Sequence, residues 1–154
     1  MADTGAGRRW GRVVFYAVAL AVVVADQLTK LLVQANLALG ESVPVGPVAI
    51  TYIINTGSLF GLFTDQTLFL VITAAIGLVA VLVYYRYLPA KTLPVRASLG
   101  LLLGGAAGNF IDRLRFGYVV DFIDLRVWPV FNLADSAVTV GIIVLAWFLL
   151  FRWK

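Results

Sequence analysis

Three acidic residues lie in an otherwise apolar stretch of this sequence. Residues 119–138 read VVDFIDLRVWPVFNLADSAV, which places Asp121, Asp124 and Asp135 among valines, phenylalanines and a tryptophan. The residues that follow, TVGIIVLAWFLLF, carry no charge. An ionised carboxylate in or beside lipid hydrocarbon is energetically costly, so these acids are candidates for a functional site.

Asp121 and Asp135 could act as a pair, because they flank the connection between two apolar runs. They are fourteen residues apart, and a loop between two membrane-crossing helices would bring them back towards each other. Two carboxylates close together in a low-dielectric site do not both ionise readily, so one keeps a proton. The ionised partner could take a proton from a water that attacks an amide carbonyl. The protonated partner could polarise that carbonyl and then help protonate the leaving amine.

Each acid also has a simpler interpretation. Asp135 alone would suit a helix cap, since an aspartate near a helix N-terminus satisfies free amides and the helix dipole. Asp124 is the alternative member of the pair, but its setting in DLRVW predicts a surface pairing with Arg126. The case for acid–base chemistry therefore depends on the pair rather than on any single acid.

Cysteine and histidine are both absent from the 154 residues. Their absence excludes thiol nucleophiles, disulfides, thiolate metal sites, Ser-His-Asp triads and HExxH zinc sites. A catalytic site would have to use Asp, Glu, Lys, Ser, Thr or Tyr. A pair of aspartates needs no metal and no cofactor, and we predict neither.

The composition indicates an integral membrane protein. Hydrophobic residues make up 62% of the chain, charged residues only 13%, and the mean hydropathy is +0.97. Four apolar runs predict an all-α membrane protein with four transmembrane helices in a single domain over residues 1–154. The third run is Gly-rich, and small residues let helices approach closely, so we place it at the bundle centre. The predicted spans are about 13–36, 67–86, 96–113 and 133–152.

The charges orient this bundle. With four crossings, eight of the twelve basic residues fall on one side, and seven of the eight acids fall towards the other. By the positive-inside rule both termini are cytoplasmic and the acids lie at the extracytoplasmic face. This orientation explains the net charge of +4 better than nucleic-acid binding does. A cleaved signal peptide is the alternative for the first run, but apolar sequence resumes after Lys30.

A short extended segment interrupts the helical pattern between the first two spans. Residues 42–54 read SVPVGPVAITYII, in which apolar and other residues alternate and two prolines, Pro44 and Pro47, break any helix. We expect a strand pair or extended flap here, forming a small β platform on the outer face between helices 1 and 2.

Several polar residues in or beside the spans have two interpretations each. Asp26 and Lys30 are four residues apart on one helical face. They could form an ion pair with Lys30 reaching up to the interface, or they could contact a substrate or catalytic loop. Asn55, in INTGSLFG, is most simply a turn residue.

The motif GNFIDRLRFG contains a second group of this kind. Asn109, Asp112 and Arg113 are spaced to lie on one side of a helix, where an Arg–Asp pair could anchor the helix end. The three side chains could instead crosslink the outer loops. Asn132 precedes Asp135 by three residues, so NLAD can place an amide and a carboxylate on one helical face.

Together these motifs resemble the lipoprotein signal peptidase family, the bacterial signal peptidase II membrane aspartyl proteases. DQLTK (26–30), NTGSLFG (55–61), GNFIDR (108–113), VVDFI (119–123) and FNLADSA (131–137) occur in the family's order and spacing, over nearly the whole chain. The resemblance implies an aspartic endopeptidase of the bacterial cytoplasmic (inner) membrane. Its substrates would be prolipoproteins, cut just before a cysteine that carries a diacylglyceryl group.

The resemblance also implies roles for individual residues. Asp121 and Asp135 match the family's catalytic dyad. Asn55 and Arg113 would bind the substrate backbone. Asn109 and Asn132 would orient the dyad, and the supporting residues would be Asp26, Lys30, Gly108 and Asp112.

The family pattern would add a short helix over the active site, beside the β platform. The sequence departs from it at Ser58 and Leu59, where the family commonly has two alanines, and this departure bears on the shape of the nearby wall. The expected partners are prolipoprotein signal peptides and membrane lipids, with no nucleic acid, and the expected oligomeric state is a monomer.

A different functional class remains open on the residues alone. A small four-span proton-coupled transporter could use Asp26, inside the first helix, as its proton site. Such a protein would need neither two converging acids nor an outer extended segment. A non-catalytic assembly factor would tolerate loss of either Asp121 or Asp135.

Overall fold

The computed structural model describes residues 5–57, 67–87 and 92–151. It contains four helices, α1 (Gly5–Asn36), α2 (Thr67–Tyr87), α3 (Leu93–Phe116) and α4 (Leu133–Phe151), and three strands, β1 (Ser42–Val45), β2 (Val48–Asn55) and β3 (Val119–Asp124). The predicted fold class, four helices with a small β platform, is confirmed. The predicted helix over the active site, with Ser58 and Leu59, lies outside the described residues.

Three of the described helices are long and apolar enough to cross a membrane. They are Arg9–Asn36, Leu68–Tyr87 and Leu133–Phe151. Helix α3 is not one of these three, because it carries glycines and several polar residues near its C-terminal end. Its 24 residues nevertheless span about 36 Å, against about 30 Å of hydrocarbon.

Helix α3 lies at the centre of the bundle, as the glycine pattern predicts. It contacts each of the other three helices. A Cβ atom on Gly104 would lie 2.6 Å from the carbonyl oxygen of Ala19 in α1. A Cβ atom on Gly105, on another side of the helix, would overlap the carbonyl oxygen of Ala134 in α4. The bundle therefore packs backbone against backbone along α3, which only glycine permits at these contacts.

The sheet is larger than predicted, because a third strand joins it from another part of the chain. Its order is β1-β2-β3, antiparallel throughout, and β3 comes from the connection between α3 and α4. We had expected only a loop around Asp121. The run Val119-Val120 has strand propensity, and pairing with β2 places Asp121 opposite Ile53. Asp121 is therefore held in a strand of the sheet and Asp135 in a helix, so neither acid lies in a flexible loop.

Candidate active site

Asp121 lies in the middle of β3 and is 1% exposed. Its Oδ1 accepts a hydrogen bond from Asn132 Nδ2 at 2.6 Å, and its Oδ2 accepts one from Asn55 Nδ2 at 2.9 Å. The pKa of Asp121 is raised to about 6, chiefly by burial and also by the nearby Asp135, while the amide donors Asn55 and Asn132 oppose the rise. Asp121 is therefore a carboxyl group that can hold a proton near neutral pH.

Asp135 lies in the first turn of α4 and is half-buried. Its Oδ1 accepts a hydrogen bond from Asn109 Nδ2 at 2.7 Å. The cap of α4 is Asn132 rather than Asp135, because Asn132 Oδ1 accepts the backbone N–H of Asp135 at 2.8 Å. In return, Asp135 Oδ2 accepts a longer hydrogen bond from the backbone N–H of Asn132, at 3.4 Å. Asp135 therefore takes part in the N-terminal cap through its Oδ2, while its Oδ1 is bound by the side-chain amide of Asn109 in α3.

A cavity of about 450 Å³ opens beside Asp135. It is lined by residues of α4 and of the segment that connects β3 to this helix. Its wall is mostly apolar, and Asp135 is one of its polar lining residues. The other lining residues are Leu125, Trp128, Phe131, Ser136, Thr139 and Val140.

Two asparagines connect the two acids. Asn132 Nδ2 donates to Asp121 Oδ1 and also to Asn109 Oδ1, at 2.6 and 3.0 Å. Asn109 Nδ2 donates in turn to Asp135 Oδ1 at 2.7 Å. Asp121 and Asp135 therefore stand at the two ends of one continuous chain of amide hydrogen bonds. The expected orientation of the acids by Asn109 and Asn132 agrees with these contacts.

Asn55 combines both interpretations of its sequence. Its Oδ1 accepts the N–H of Gly57 at 2.8 Å, which is a turn, and Gly57 has a φ of 79° that suits glycine. Because the carbonyl side is used in the turn, the amide NH₂ faces Asp121. In this structure Asn55 contacts the dyad candidate directly.

Below the amides lies a buried ionic cluster. Lys30 is 2% exposed, and its Nζ is 2.8 Å from both Asp26 Oδ2 and Asp112 Oδ2. It also donates to Asn109 Oδ1 at 3.0 Å. The predicted pairing of Asp26 with Lys30 is confirmed, but the expected reach of Lys30 to the interface is wrong. Two carboxylates and an amide compensate the buried ammonium, so it has no need of water.

Asp112 crosslinks the elements around it. Its Oδ1 accepts Gln27 Nε2 at 2.8 Å, and its Oδ2 accepts the N–H of Val120 at 3.2 Å. The alternative in which Asp112 pairs with Arg113 is not what the structure shows, because the carboxylate is bonded to Lys30. Gln27, which we did not single out, also donates to the Gly108 carbonyl at 3.2 Å. Its place inside DQLTK, next to Asp26, was the available signal.

Arg113 lies in the last turn of α3 and is half-buried. Its guanidinium lies close enough to interact electrostatically with Asp135, Asp121 and Asp112. It therefore adds positive potential at the edge of the site.

Asp124 lies on the other face of β3 from Asp121, because strand side chains alternate and the two residues are three apart. Its Oδ2 lies 3.8 Å from Arg126 Nη1 and accepts a hydrogen bond from Thr51 at 2.9 Å. The backbone N–H of Arg126 and the Thr51 hydroxyl lower the pKa of Asp124. The predicted pairing of Asp124 with Arg126 is confirmed, and Asp124 is separate from the Asp121–Asp135 chain.

Within residues 5–57, 67–87 and 92–151, no group of three or more acidic side chains is arranged to hold a metal. The groups directly around Asp121 and Asp135 are amide NH₂ donors, which are not metal ligands. The chemistry available at this site is proton transfer by two carboxyl groups.

Comparison with known proteins gives consistent matches over most of the chain. The sequence family described as Signal peptidase (SPase) II matches residues 18–151. The chain is 49% identical to a lipoprotein signal peptidase from Moorella thermoacetica over 138 residues, which is 88% of this chain and 92% of that protein. It is 44% identical to one from Halothermothrix orenii, over 90% of this chain and 94% of that protein.

The fold is also similar to a solved structure. A bacterial membrane enzyme determined by the in meso method at 1.9 Å resolution superposes with a TM-score of 0.83 and 35% identity. The match covers 89% of this chain and 92% of that chain. The arrangement of helices and sheet is therefore shared with a membrane enzyme.

Proposed function

The chain belongs to the signal peptidase II family, and we propose that Asp121 and Asp135 are its two catalytic residues. It is an aspartic peptidase and a multi-pass bacterial membrane enzyme that cleaves the signal peptides of prolipoproteins. The observation that supports this assignment best is the amide chain joining Asp121 through Asn132 and Asn109 to Asp135. Asp124, the alternative member of the pair, is bonded to Thr51 and Arg126 and is not part of this chain.

In the proposed mechanism the two carboxyl groups share one proton. The ionised group takes a proton from a water as that water attacks the scissile carbonyl, and the protonated group polarises the carbonyl oxygen. Proton return to the leaving amine completes the cleavage. The raised pKa of Asp121 supports a proton held at this site near neutral pH.

The neighbouring polar residues have two kinds of role in this proposal. Asn55, Asn109 and Asn132 donate amide hydrogens that hold both carboxylates in place. For Asn55 this role stands beside the substrate binding that the family resemblance implies. Arg113 remains the candidate for binding the substrate backbone, because it lies at the edge of the site near Asp121 and Asp135.

The substrate would be a prolipoprotein with a diacylglyceryl group on the cysteine after the cut. The apolar cavity beside Asp135 is lined in part by α4, and Val140 on this helix is exposed. A lipidated substrate could therefore reach the cavity from the bilayer. We also propose a monomer in the cytoplasmic (inner) membrane, with both termini cytoplasmic and the dyad at the extracytoplasmic face.

The transporter alternative does not survive the family assignment. Asp26, its candidate proton carrier, is fully buried and bound to Lys30 and to the N–H of Ala134. Those contacts give Asp26 a structural setting.

The proposal is tested by cleavage of a diacylglyceryl-modified prolipoprotein with the purified protein in detergent. Asp121→Asn and Asp135→Asn should each lower kcat by about 10³-fold, because each removes one partner of the acid–base pair. Asp124→Asn is the matched control and should leave cleavage unchanged, as should a chelator added to the wild-type protein. Cleavage at the wild-type rate in either dyad variant would remove that residue from the mechanism.

A further inference from the structure

The ionic cluster of Lys30, Asp26 and Asp112 is connected to the backbone beside each proposed catalytic aspartate. Asp26 Oδ1 accepts the N–H of Ala134 at 3.0 Å, and Ala134 immediately precedes Asp135. Asp112 Oδ2 accepts the N–H of Val120 at 3.2 Å, and Val120 immediately precedes Asp121. The same two carboxylates are the ones that Lys30 holds, each at 2.8 Å.

These contacts can determine how far apart the two aspartates lie. Consecutive Cα atoms are about 3.8 Å apart across a trans peptide, so holding one residue's backbone largely places the next Cα. The N–H of Ala134 is among the first in α4, where a helix has no acceptor of its own. The segment joining β3 to α4 is itself tied to β3 at Phe131, whose N–H donates to the Ile123 carbonyl at 3.1 Å. The carboxylates of Asp26 and Asp112 add to this restraint at the two residues that directly precede the acids.

Lys30 has a third contact that reaches the dyad. An ammonium group has three hydrogens and accepts nothing. Two of these point to Asp26 and Asp112, and the third is donated to Asn109 Oδ1 at 3.0 Å. Because Lys30 can only donate, it requires the carbonyl side of Asn109 to face it. Asn132 Nδ2 donates to the same oxygen at 3.0 Å, and the two contacts together direct the amide NH₂ of Asn109 at Asp135 Oδ1.

We propose that Lys30, together with Asp26 and Asp112, forms a clamp that sets the separation of Asp121 and Asp135 and the orientation of the Asn109 amide. Lys30 is a positioning residue, because it is buried beneath the amides and acts through its partners. This inference rests on the proposed catalytic pair.

Gly108 allows this clamp to be disturbed without any change of charge. A Cβ atom at position 108 would lie 2.5 Å from Asp26 Oδ2 and 3.4 Å from the Cβ of Ala134. Gly108→Ala therefore pushes on one carboxylate of the clamp and on the residue before Asp135. The substitution removes none of the charged groups that face Asp121, which are Asp135 from α4, Lys30 from α1 and Arg113 from α3.

The experiment measures kcat, KM, the pH profile of kcat and the melting temperature for Gly108→Ala and Lys30→Met. We expect kcat to fall by about 10²-fold in each, because misplacement of reacting groups by about 1 Å has that effect, with KM within about twofold. If the carboxyl groups move apart, the electrostatic coupling between them weakens. The two limbs of the pH profile of kcat would then lie at closer pH values. Gly77→Ala, where the added methyl meets nothing within 4 Å, and Thr29→Val, whose hydroxyl bonds only within α1, should match the wild type.

The outcomes distinguish the clamp from the catalytic assignment. A lower melting temperature with wild-type kcat and an unchanged profile in the folded protein would overturn the clamp. If Gly108→Ala or Lys30→Met does not fold, Asp112→Asn replaces it in the experiment, because this change keeps the shape of the side chain. Wild-type kinetics in Asp112→Asn would also overturn the clamp. Failure of the catalytic assignment has a different signature, since Asp121→Asn or Asp135→Asn would then remain active.

Discussion

At the scale of single residues, the orientation of three asparagine side chains towards the two carboxylates is determined by the hydrogen-bond donors that bind their side-chain carbonyl oxygens. Asn55 is held by the N–H of Gly57, Asn132 by the N–H of Asp135, and Asn109 by Lys30. Each carbonyl oxygen is thereby occupied, which leaves the NH₂ group to face Asp121 or Asp135. Fixed donors of this kind need no reorganisation when charge moves during the reaction.

Asp121 should make the stability of the protein depend on pH. Its pKa is about 6 in the folded state against 3.8 for an ordinary aspartate, so the folded protein binds the extra proton between these values. Stability from this group is complete below about pH 4 and is lost as the pH rises through 6. The free energy of unfolding of Asp121→Asn, relative to wild type, should therefore rise by about 2–3 kcal/mol from pH 4 to pH 7.

Chemical denaturation in detergent at a series of pH values measures this difference. Ionisable groups that do not interact with Asp121 are common to both proteins and cancel in the comparison. A difference that stays constant across the range would mean that Asp121 is not the buried proton-binding group.

At the scale of secondary-structure elements, α3 carries Asn109, Asp112 and Arg113 to the site and also forms the centre of the bundle. The glycines one and two turns earlier set how closely α1 and α4 approach it. The distance from Lys30 on α1 to Asp112 on α3 thus depends on helix packing as well as on the side chains themselves. Packing and catalysis are coupled through this helix.

Gly104→Leu should weaken both stability and cleavage. Its side chain would meet the Ala19 carbonyl, 2.6 Å from the first added atom, and the backbone can relieve this contact only by moving α1 away. Overpacking of this kind costs about 1–3 kcal/mol. Thermal unfolding and cleavage assays should show both losses.

Gly77→Leu is the matched control, because nothing lies within 4 Å of its added Cβ in α2. It should leave both measurements near the wild-type values. Equal losses in Gly104→Leu and Gly77→Leu would indicate that the losses are not caused by a larger side chain between α3 and α1.

At the scale of the whole molecule, the sheet and the paired acids gather at one end of the bundle, and the end of α2 and the start of α3 lie at the other. The basic residues flank the cytoplasmic ends in the proposed orientation. A substrate that arrives through the bilayer would then meet the dyad where water is available.

Cysteine labelling tests the orientation without background, because the chain has no native cysteine. Val45→Cys, 54% exposed in β1, should react with a membrane-impermeant maleimide added to intact spheroplasts. Tyr87→Cys, 79% exposed at the end of α2, should react only after the membrane is permeabilised. The reverse pattern would invert the proposed topology.

The sequence by itself determined the membrane class, the four helices and the identity of the polar residues. Apolar run length and small-residue spacing are local properties, so α1 to α4 and the central place of α3 could be predicted. The two-proline segment before β2 was also recognisable by its alternation. The motifs brought together Asp121, Asp135 and most of their neighbours as a list of candidates.

Only the tertiary structure decided how those residues are connected. Strand β3 forms because β2 offers it a partner across a long sequence separation, which no local pattern around Asp121 reveals. Lys30 stays buried because Asp112 and Asn109 reach it from α3, and Gln27 contributes because Asp112 lies opposite it. Hydrogen bonds and ion pairs act over about 3 Å. The roles of these side chains therefore follow from which helices and strands meet, and the packing of the whole chain sets that.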